Sequence, residues 1–329
     1  VAIFPFWENQ KKPSFLKNPK LRRSLVSASA NQLVFMKNTY AAFAALGLAF
    51  STVMSAHGQS IVGGFMAGKG HGSVVVSGTT EQYQNVFLVP EKVDGVPIFN
   101  EIRVNSLNLY ATYGLTSKID VILTLPYIRS EGQANIRAFT SSNYTNSREG
   151  LQDITGVLKF KSYSKEIGNS IVDVLGVIGV STPASNYKSA KGLEYIIAIG
   201  NRSTKVAASG LVHVKMASGL FVTGQAGYSL RSIDVPNAFI SEGKVGYAGP
   251  KTYVDAYVSV QKSNGGTDVI QPGFDGSFTA TRVDYVRIGA SAFRPIAKGL
   301  GLTLGVSRYV AGRNVGQSTG FSAGIAYNI

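Results

Sequence analysis

The residues that could do chemistry are few and scattered. Gly68-Lys69-Gly70-His71-Gly72 has the glycines and lysine of a phosphate loop, in which backbone N–H groups at a helix start cradle an anion. The Walker spacing is missing, no Ser or Thr follows Lys69, and no helical periodicity follows the glycines. A short lead-in or small plug is the expectation. His71 and His213 are the histidines of residues 59–329. They stand far apart, whereas a histidine metal site needs several converging ligands, such as a His-x-x-x-His pair. A Ser–His hydrolase needs a base oriented onto its nucleophile, and Ser209, Ser218 and Ser307 stand in ordinary strand and turn patterns. Cysteine is absent, which excludes disulfides, thiolate metal sites and cysteine nucleophiles. No catalytic residue, no cofactor and no metal is expected.

What remains is a set of ionisable residues on the polar side of alternating segments. It comprises Asp120, Asp153, Lys159, Lys161, Asp173, Lys205, His213, Lys215, Arg231, Asp255 and Arg287. His213, for example, alternates with Leu211 and Lys215, opposite Val212 and Val214. Both signs occur, so opposite charges can pair across the interior. Two uses are open: a wet, self-neutralising filling, or a polar track that guides a solute.

The elements that must hold these residues are strands. At the C-terminus Phe321, Ala323, Ile325, Tyr327 and Ile329 share one face, with Ser322, Gly324, Ala326 and Asn328 on the other. This is period two, not the 3.6 of a helix. Leu107, Leu109, Ala111, Tyr113 and Leu115 repeat it, as do Ile119, Val121, Leu123, Leu125 and Tyr127. The pattern predicts twelve strands, near 72–89, 102–116, 118–132, 151–164, 170–183, 204–217, 219–233, 239–248, 252–264, 279–294, 299–312 and 317–329.

Connections alternate in length. Those after even-numbered strands are short: 115–118, 164–169, 217–219, 249–251 and 295–299. Those after odd-numbered strands are mostly long and polar, as in 90–101, 133–150, 184–203 and 265–278. Short periplasmic turns and long extracellular loops are the habit of transmembrane β-barrels. An even strand count returns the last strand to the side where the first began. A soluble sandwich or lipocalin-like barrel would charge its outer face densely. Only 15% of the residues are charged, and the apolar faces are nearly free of them. The fold class expected is all-β, a transmembrane antiparallel β-barrel of about 12 strands. Tyr83, Tyr127, Tyr228, Tyr247, Tyr253, Tyr309 and Tyr327 fall near strand ends, where interfacial girdles form; the alternative is that some of them line an aromatic substrate path.

The first 58 residues look like targeting, not fold. Lys37 and the apolar run Tyr40–Met54 precede Ala56-His57-Gly58, the layout of a signal peptide over 36–58. Residues 1–35 are expected to be an upstream extension ahead of a start at Met36; the rival is an unusually long n-region. Residues 59–71 form the lead-in or small plug, and 72–329 the barrel. The formal charge of +14 raises nucleic acid as a partner. Seven of the 32 basic residues fall in 1–58 beside Glu8, leaving about +8 on 59–329 with no basic stripe to follow a phosphate backbone. Nucleic acid is therefore not an expected partner.

The order Gly63-Gly64-Phe65-Met66-Ala67-Gly68-Lys69-Gly70-His71-Gly72, Tyr113-Gly114-Leu115-Thr116, Asp120-Val121, Leu125-Pro126-Tyr127 and Gly150-Leu151-Gln152-Asp153 resembles a family of outer-membrane barrels. That family is the transporter of the MetA-pathway of phenol degradation, distantly related to FadL-type channels. The resemblance implies an outer-membrane channel, in a Gram-negative-type bacterium, for small hydrophobic or aromatic molecules moving by passive diffusion. It implies three partners: outer-membrane lipid, a small-molecule solute, and the barrel-assembly machinery during biogenesis. No enzymatic activity is expected. The alternative is a structural or interaction barrel with a filled lumen, whose long loops bind a partner.

Overall fold

Alternating faces become walls when each strand finds two neighbours. The computed structural model describes residues 63–89, 92–94, 96, 99–133, 145–191, 195, 197–269 and 272–329. The expected extension 1–35 and signal peptide 36–58 lie outside the described residues. The strands are β1 (Gly72–Tyr83), β2 (Asn85–Phe87), β3 (Lys92–Asp94), β4 (Glu101–Gly114), β5 (Ile119–Gln133) and β6 (Ser147–Leu151). There follow β7 (Asp153–Ile167), β8 (Ser170–Pro183), β9 (Lys205–Met216), β10 (Leu220–Arg231) and β11 (Ala238–Ala248). The last are β12 (Tyr253–Ser263), β13 (Asp284–Ala297), β14 (Leu300–Arg313), β15 (Val315–Gly316) and β16 (Thr319–Asn328).

The main sheet runs β4-β1-β16-β14-β13-β12-β11-β10-β9-β8-β7-β5, and β5 pairs back onto β4. Every pairing in it is antiparallel, and it closes into a twelve-stranded barrel with β6 continuing the line of β7 along β5. Closure leaves no edge strand, so every wall strand has its backbone groups paired on both sides. Closure also brings Gly72 beside Ile329, joined by two backbone hydrogen bonds of 2.9 and 3.2 Å. Strands β15, β2 and β3 form a small separate sheet in the connections of the loop end. Among the described residues no helix is long and apolar enough to cross a membrane, which bears only on helices.

The molecule is inside-out by the standard of a soluble protein. Leu220, Val222, Val245, Leu302, Leu304, Phe321 and Ile325 are exposed, whereas Asp120, Thr124, Lys159, His213, Lys244 and Arg287 are buried. Outward aromatic residues gather at two levels. Tyr113, Tyr163, Tyr247 and Tyr327 stand near the short turns; Tyr127, Tyr228, Phe239 and Phe321 stand nearer the loops. On β11 the two levels are eight residues apart. At about 3.4 Å per residue and a tilt of about 40°, this makes an apolar belt roughly 20 Å tall, near the height such barrels present to lipid.

The strands depart from the sequence pattern in five places. The fourth expected strand starts early, at Ser147 inside the expected 133–150 loop, and breaks at Gln152 into β6 and β7. The first strand ends at Tyr83, not near 89, because Asn85–Phe87 leaves the wall to pair with β15. The tenth wall strand begins at Asp284, not 279, since Phe278–Ala280 is a 3-10 turn packed among the loops. The turn expected at 295–299 shrinks to Lys298-Gly299, because a bulge between Pro295 and Ala297 absorbs the proline inside β13. A bulge is where a sheet tolerates a residue without an N–H. A second bulge, between Lys161 and Tyr163, lets β7 run to Ile167. The tyrosine girdle also needs correcting. Tyr83 and Tyr309 are buried, and Tyr253 turns inward beside Asp255. They share the parity of Glu81, Ser307 and Asp255, and parity outranks closeness to a strand end.

Candidate lumen lining and its N-terminal insert

The inner face is built by the strand register. Asp120 of β5 lies directly opposite Lys159 of β7, and their charged atoms meet at 3.2 Å, both almost fully buried. Lys161 reaches Asp173 on β8 at 3.1 Å. Lys205 reaches Asp153, two strands away, at 2.9 Å. Asp153 also accepts a hydrogen bond from the Tyr187 hydroxyl at 2.6 Å. Burial, and then the charge of Asp153, hold that phenol above its ordinary pKa, so it stays a donor. Asp255 accepts from Tyr253 and Ser291 and lies 3.7 Å from Lys244. Arg287 spans two intervening strands to reach Glu81 at 2.8 Å and also donates to Ser307. Arg231 donates to Gln261 at 2.7 Å. Lys215 is the exposed member, at the short-turn mouth, 5.8 Å above the ring of Phe65.

Ten of the sequence-selected residues thus stand buried or half-buried on one face, and Lys215 stands at its rim. The ion pairs run along the wall, between strands no more than three positions apart, not across the interior. Pairing makes burial of these charges tolerable. Asp120 Oδ1, Asp173 Oδ1 and His213 Nε2 have no hydrogen-bond partner among the described residues. Such groups fit a space that holds water or a polar solute.

One end of this lining is occupied by the chain itself. Gly63–His71 enters the wall at the short-turn end, where Lys159 Nζ donates to the carbonyls of Gly63 and Phe65 at 3.2 and 2.5 Å. The Ala67 N–H donates to Asp120 Oδ2 at 3.0 Å. Gly70 and His71 hydrogen bond to the backbone of Gly114 at the end of β4. The Phe65 ring meets His213 at 4.4 Å, Phe221 at 5.1 Å and Tyr253 at 6.3 Å, each edge to face. Gly64 lies so close to the imidazole that an added Cβ would come within 2.2 Å of His213 Nδ1. Beside the insert lies a cavity of about 380 Å³ lined by Phe65, Tyr110, Asp120, Lys159 and Ile329.

The other mouth is apolar. Ile102, Val104 and Ile128 of the wall meet Leu88, Val96 and Phe99 from the β1–β4 connection. Tyr187, Ile197 and Ile199 join from the β8–β9 connection, and Val269 and Phe278 from the β12–β13 connection. Phe99 lies over Gly132, where a Cβ would sit 2.1 Å from the ring.

Sequence reasoning missed Glu81, Lys244 and its neighbour Glu242, 3.8 Å away on the same strand, and the insert's Phe65. The first had a signal: Glu81 continues the polar face of Ser77 and Thr79. Phe65 had none, being one aromatic residue in a glycine-rich lead-in. Among the described residues no cluster of His, Cys, Asp and Glu could hold a metal ion.

No family model matches the chain, and no curated protein sequence matches it. Among solved structures it is similar to the COG4313 outer membrane channel from Pseudomonas putida F1, at 15% identity and a TM-score of 0.64, over 82% of this chain and 100% of that one. The KdgM porin in complex with disordered oligogalacturonate follows at 6% identity and a TM-score of 0.44, over 77% and 98%. The NanC porin has 7% identity and a TM-score of 0.44 over the same shares. The first likeness is one of fold: the chain has the closed antiparallel barrel architecture of an outer-membrane channel.

Proposed function

We propose that this protein is an outer-membrane channel that passes small solutes by passive diffusion and that Gly63–His71 limits passage at its short-turn mouth. One observation carries the reading: a closed barrel with an apolar belt between two aromatic levels encloses a buried face of paired charges. A barrel facing lipid outside and water or solute inside makes both faces favourable. The fold shared with the Pseudomonas channel supports it. The resemblance to the phenol-degradation family points to hydrophobic or aromatic solutes, with the short turns in the periplasm and the long loops outside. No step of this function calls for catalysis or a cofactor. The inward apolar cluster at the loop mouth favours a second reading, a filled barrel whose loops bind a partner.

Conductance separates the two. Folded protein in planar bilayers is expected to pass ions or aromatic solutes, and Phe65→Ala is expected to raise the conductance by loosening the insert. A wild type and a Phe65→Ala variant that are both silent would leave the filled barrel standing and defeat the channel.

A further inference from the structure

The two ends of the barrel differ in charge as well as in shape. At the short-turn end the exposed cations are Lys69, Lys118, Lys165, Lys215, Lys251, Arg294 and Lys298, and the exposed acid is Glu166. Each of the five short turns, or a strand leading into it, contributes at least one of these cations. Lys118, Lys165, Lys251, Arg294 and Lys298 form no ion pair among the described residues. At the loop end the exposed cations are offset by the exposed acids Asp94, Glu149, Asp234 and Asp275. Some pair, as in Lys92–Asp94, Arg129–Glu131 and Lys191–Asp275, while Lys188, Arg202, Lys262 and Arg308 form no ion pair among the described residues.

Strand parity says which way the collar faces. Lys165 stands between the exposed Tyr163 and Ile167, and its register partner is Val172. Arg294 pairs in register with the exposed Leu302 and is followed on the same face by Ile296. Both cations therefore lie on the outer wall, at the edge of the apolar belt and close to the tyrosines. Lys118, Lys251 and Lys298 sit at the turns just beyond. Glu166 faces the other way, lining a recess of about 690 Å³ in the mouth together with Lys215. A long basic side chain at a belt edge lays its stem on apolar surface and raises its charge to headgroup level.

We infer that Lys118, Lys165, Lys251, Arg294 and Lys298 form a collar that binds the phosphates of anionic phospholipids in the leaflet around the short-turn end. The inference rests on the reading of the chain as a membrane barrel. Its chemistry is charge complementarity at a place where the apolar belt already fixes the neighbour as lipid. A basic residue near an anionic membrane surface shifts binding by about fivefold.

The test uses the folded full barrel extracted from membranes and checked for heat-modifiable gel migration. It is mixed with equal amounts of phosphatidylglycerol and phosphatidylcholine, and the retained lipids are counted by native mass spectrometry. Phosphatidylglycerol is expected to be retained about fivefold or more over phosphatidylcholine. Replacing the five cations by Gln should bring the ratio to parity, and high salt should do the same. Replacing Lys92, Lys191, Arg202 and Lys262 at the loop end by Gln should leave it unchanged. A folded wild type without preference, an equal loss in the loop-end variant, or binding to isolated peptidoglycan in place of lipid would overturn the collar alone. Failure to recover any heat-modifiable barrel from membranes would overturn the channel reading beneath it.

Discussion

The loop mouth and the short-turn mouth are occupied by opposite means. At the loop mouth, side chains from three connections bury themselves against Ile102, Val104 and Ile128. Each large apolar side chain hidden there contributes about 1.5–3 kcal/mol, without direction and without need of a partner. At the short-turn mouth a nine-residue segment is held by Lys159, Asp120, the Gly114 backbone and one aromatic ring. Those contacts are directional, and water can replace most of them at a net cost of about 1 kcal/mol each. An apolar cluster opens as a unit or not at all, whereas a tethered segment can leave contact by contact.

The largest effect is expected where burial dominates. Phe99→Ala removes a fully buried ring that bridges the β1–β4 connection to Gly132 of β5, at a cost of about 3–5 kcal/mol. A urea titration followed by gel migration should show this loss, with faster proteolysis of the loops. If the loop mouth stays equally protected, the contrast between the ends fails. Asp120→Asn should act at the other mouth alone. It keeps an acceptor for the Ala67 N–H but leaves Lys159 without its counter-charge, and the loss of that charge-assisted contact is worth about 2 kcal/mol. The insert should become accessible to protease at lower urea than unfolds the barrel, whose own midpoint falls only by the loss of this one wall pair. A barrel that unfolds together with the insert would show that the segment is part of the wall's stability.

The smallest expected effect is a dependence on pH confined to the loop end. Asp268 accepts hydrogen bonds from Arg313 Nε at 2.7 Å and Asn314 Nδ2 at 2.8 Å. The hydrogen bond from Arg313 holds its carboxyl below the ordinary range. A carboxyl depressed in the folded state contributes its stability above the unfolded value of about 4 and loses it as pH falls through the folded value. Hydrogen exchange at the Thr267 amide, bonded to Ala280 O, should stay protected from pH 7 to about 4 and loosen below. Asp268→Asn should flatten this profile; an unchanged profile would remove Asp268 from the account.

How much of this could be seen in the residues follows from the physics of each part. The wall strands were legible because one apolar and one polar face leave a period-two imprint, as in Phe321 to Ile329. Asp120 and Lys159 were legible as members of the inner face, but their direct opposition depends on a register that only the folded sheet sets. Pro295 misled because a proline usually ends a strand, and the bulge that shelters it leaves no mark in composition. The loop cluster was hidden for a different reason. Val96, Phe99 and Ile197 lie in irregular connections whose apolar residues have no period, so nothing in their spacing announces that they meet.

The pairing of β1 with β16 has a bearing on how the molecule is made. Until the last strand docks, β1 and β14 each present a row of unpaired backbone groups and the polar wall has no inside. Holding two segments some 240 residues apart costs little more entropy than a loop half that length, so the difficulty lies in protecting two open edges and not in reaching across. Closure is then the step at which aggregation competes most directly with folding. Once made, it is the seam whose hydrogen bonds must all break together before any strand can leave.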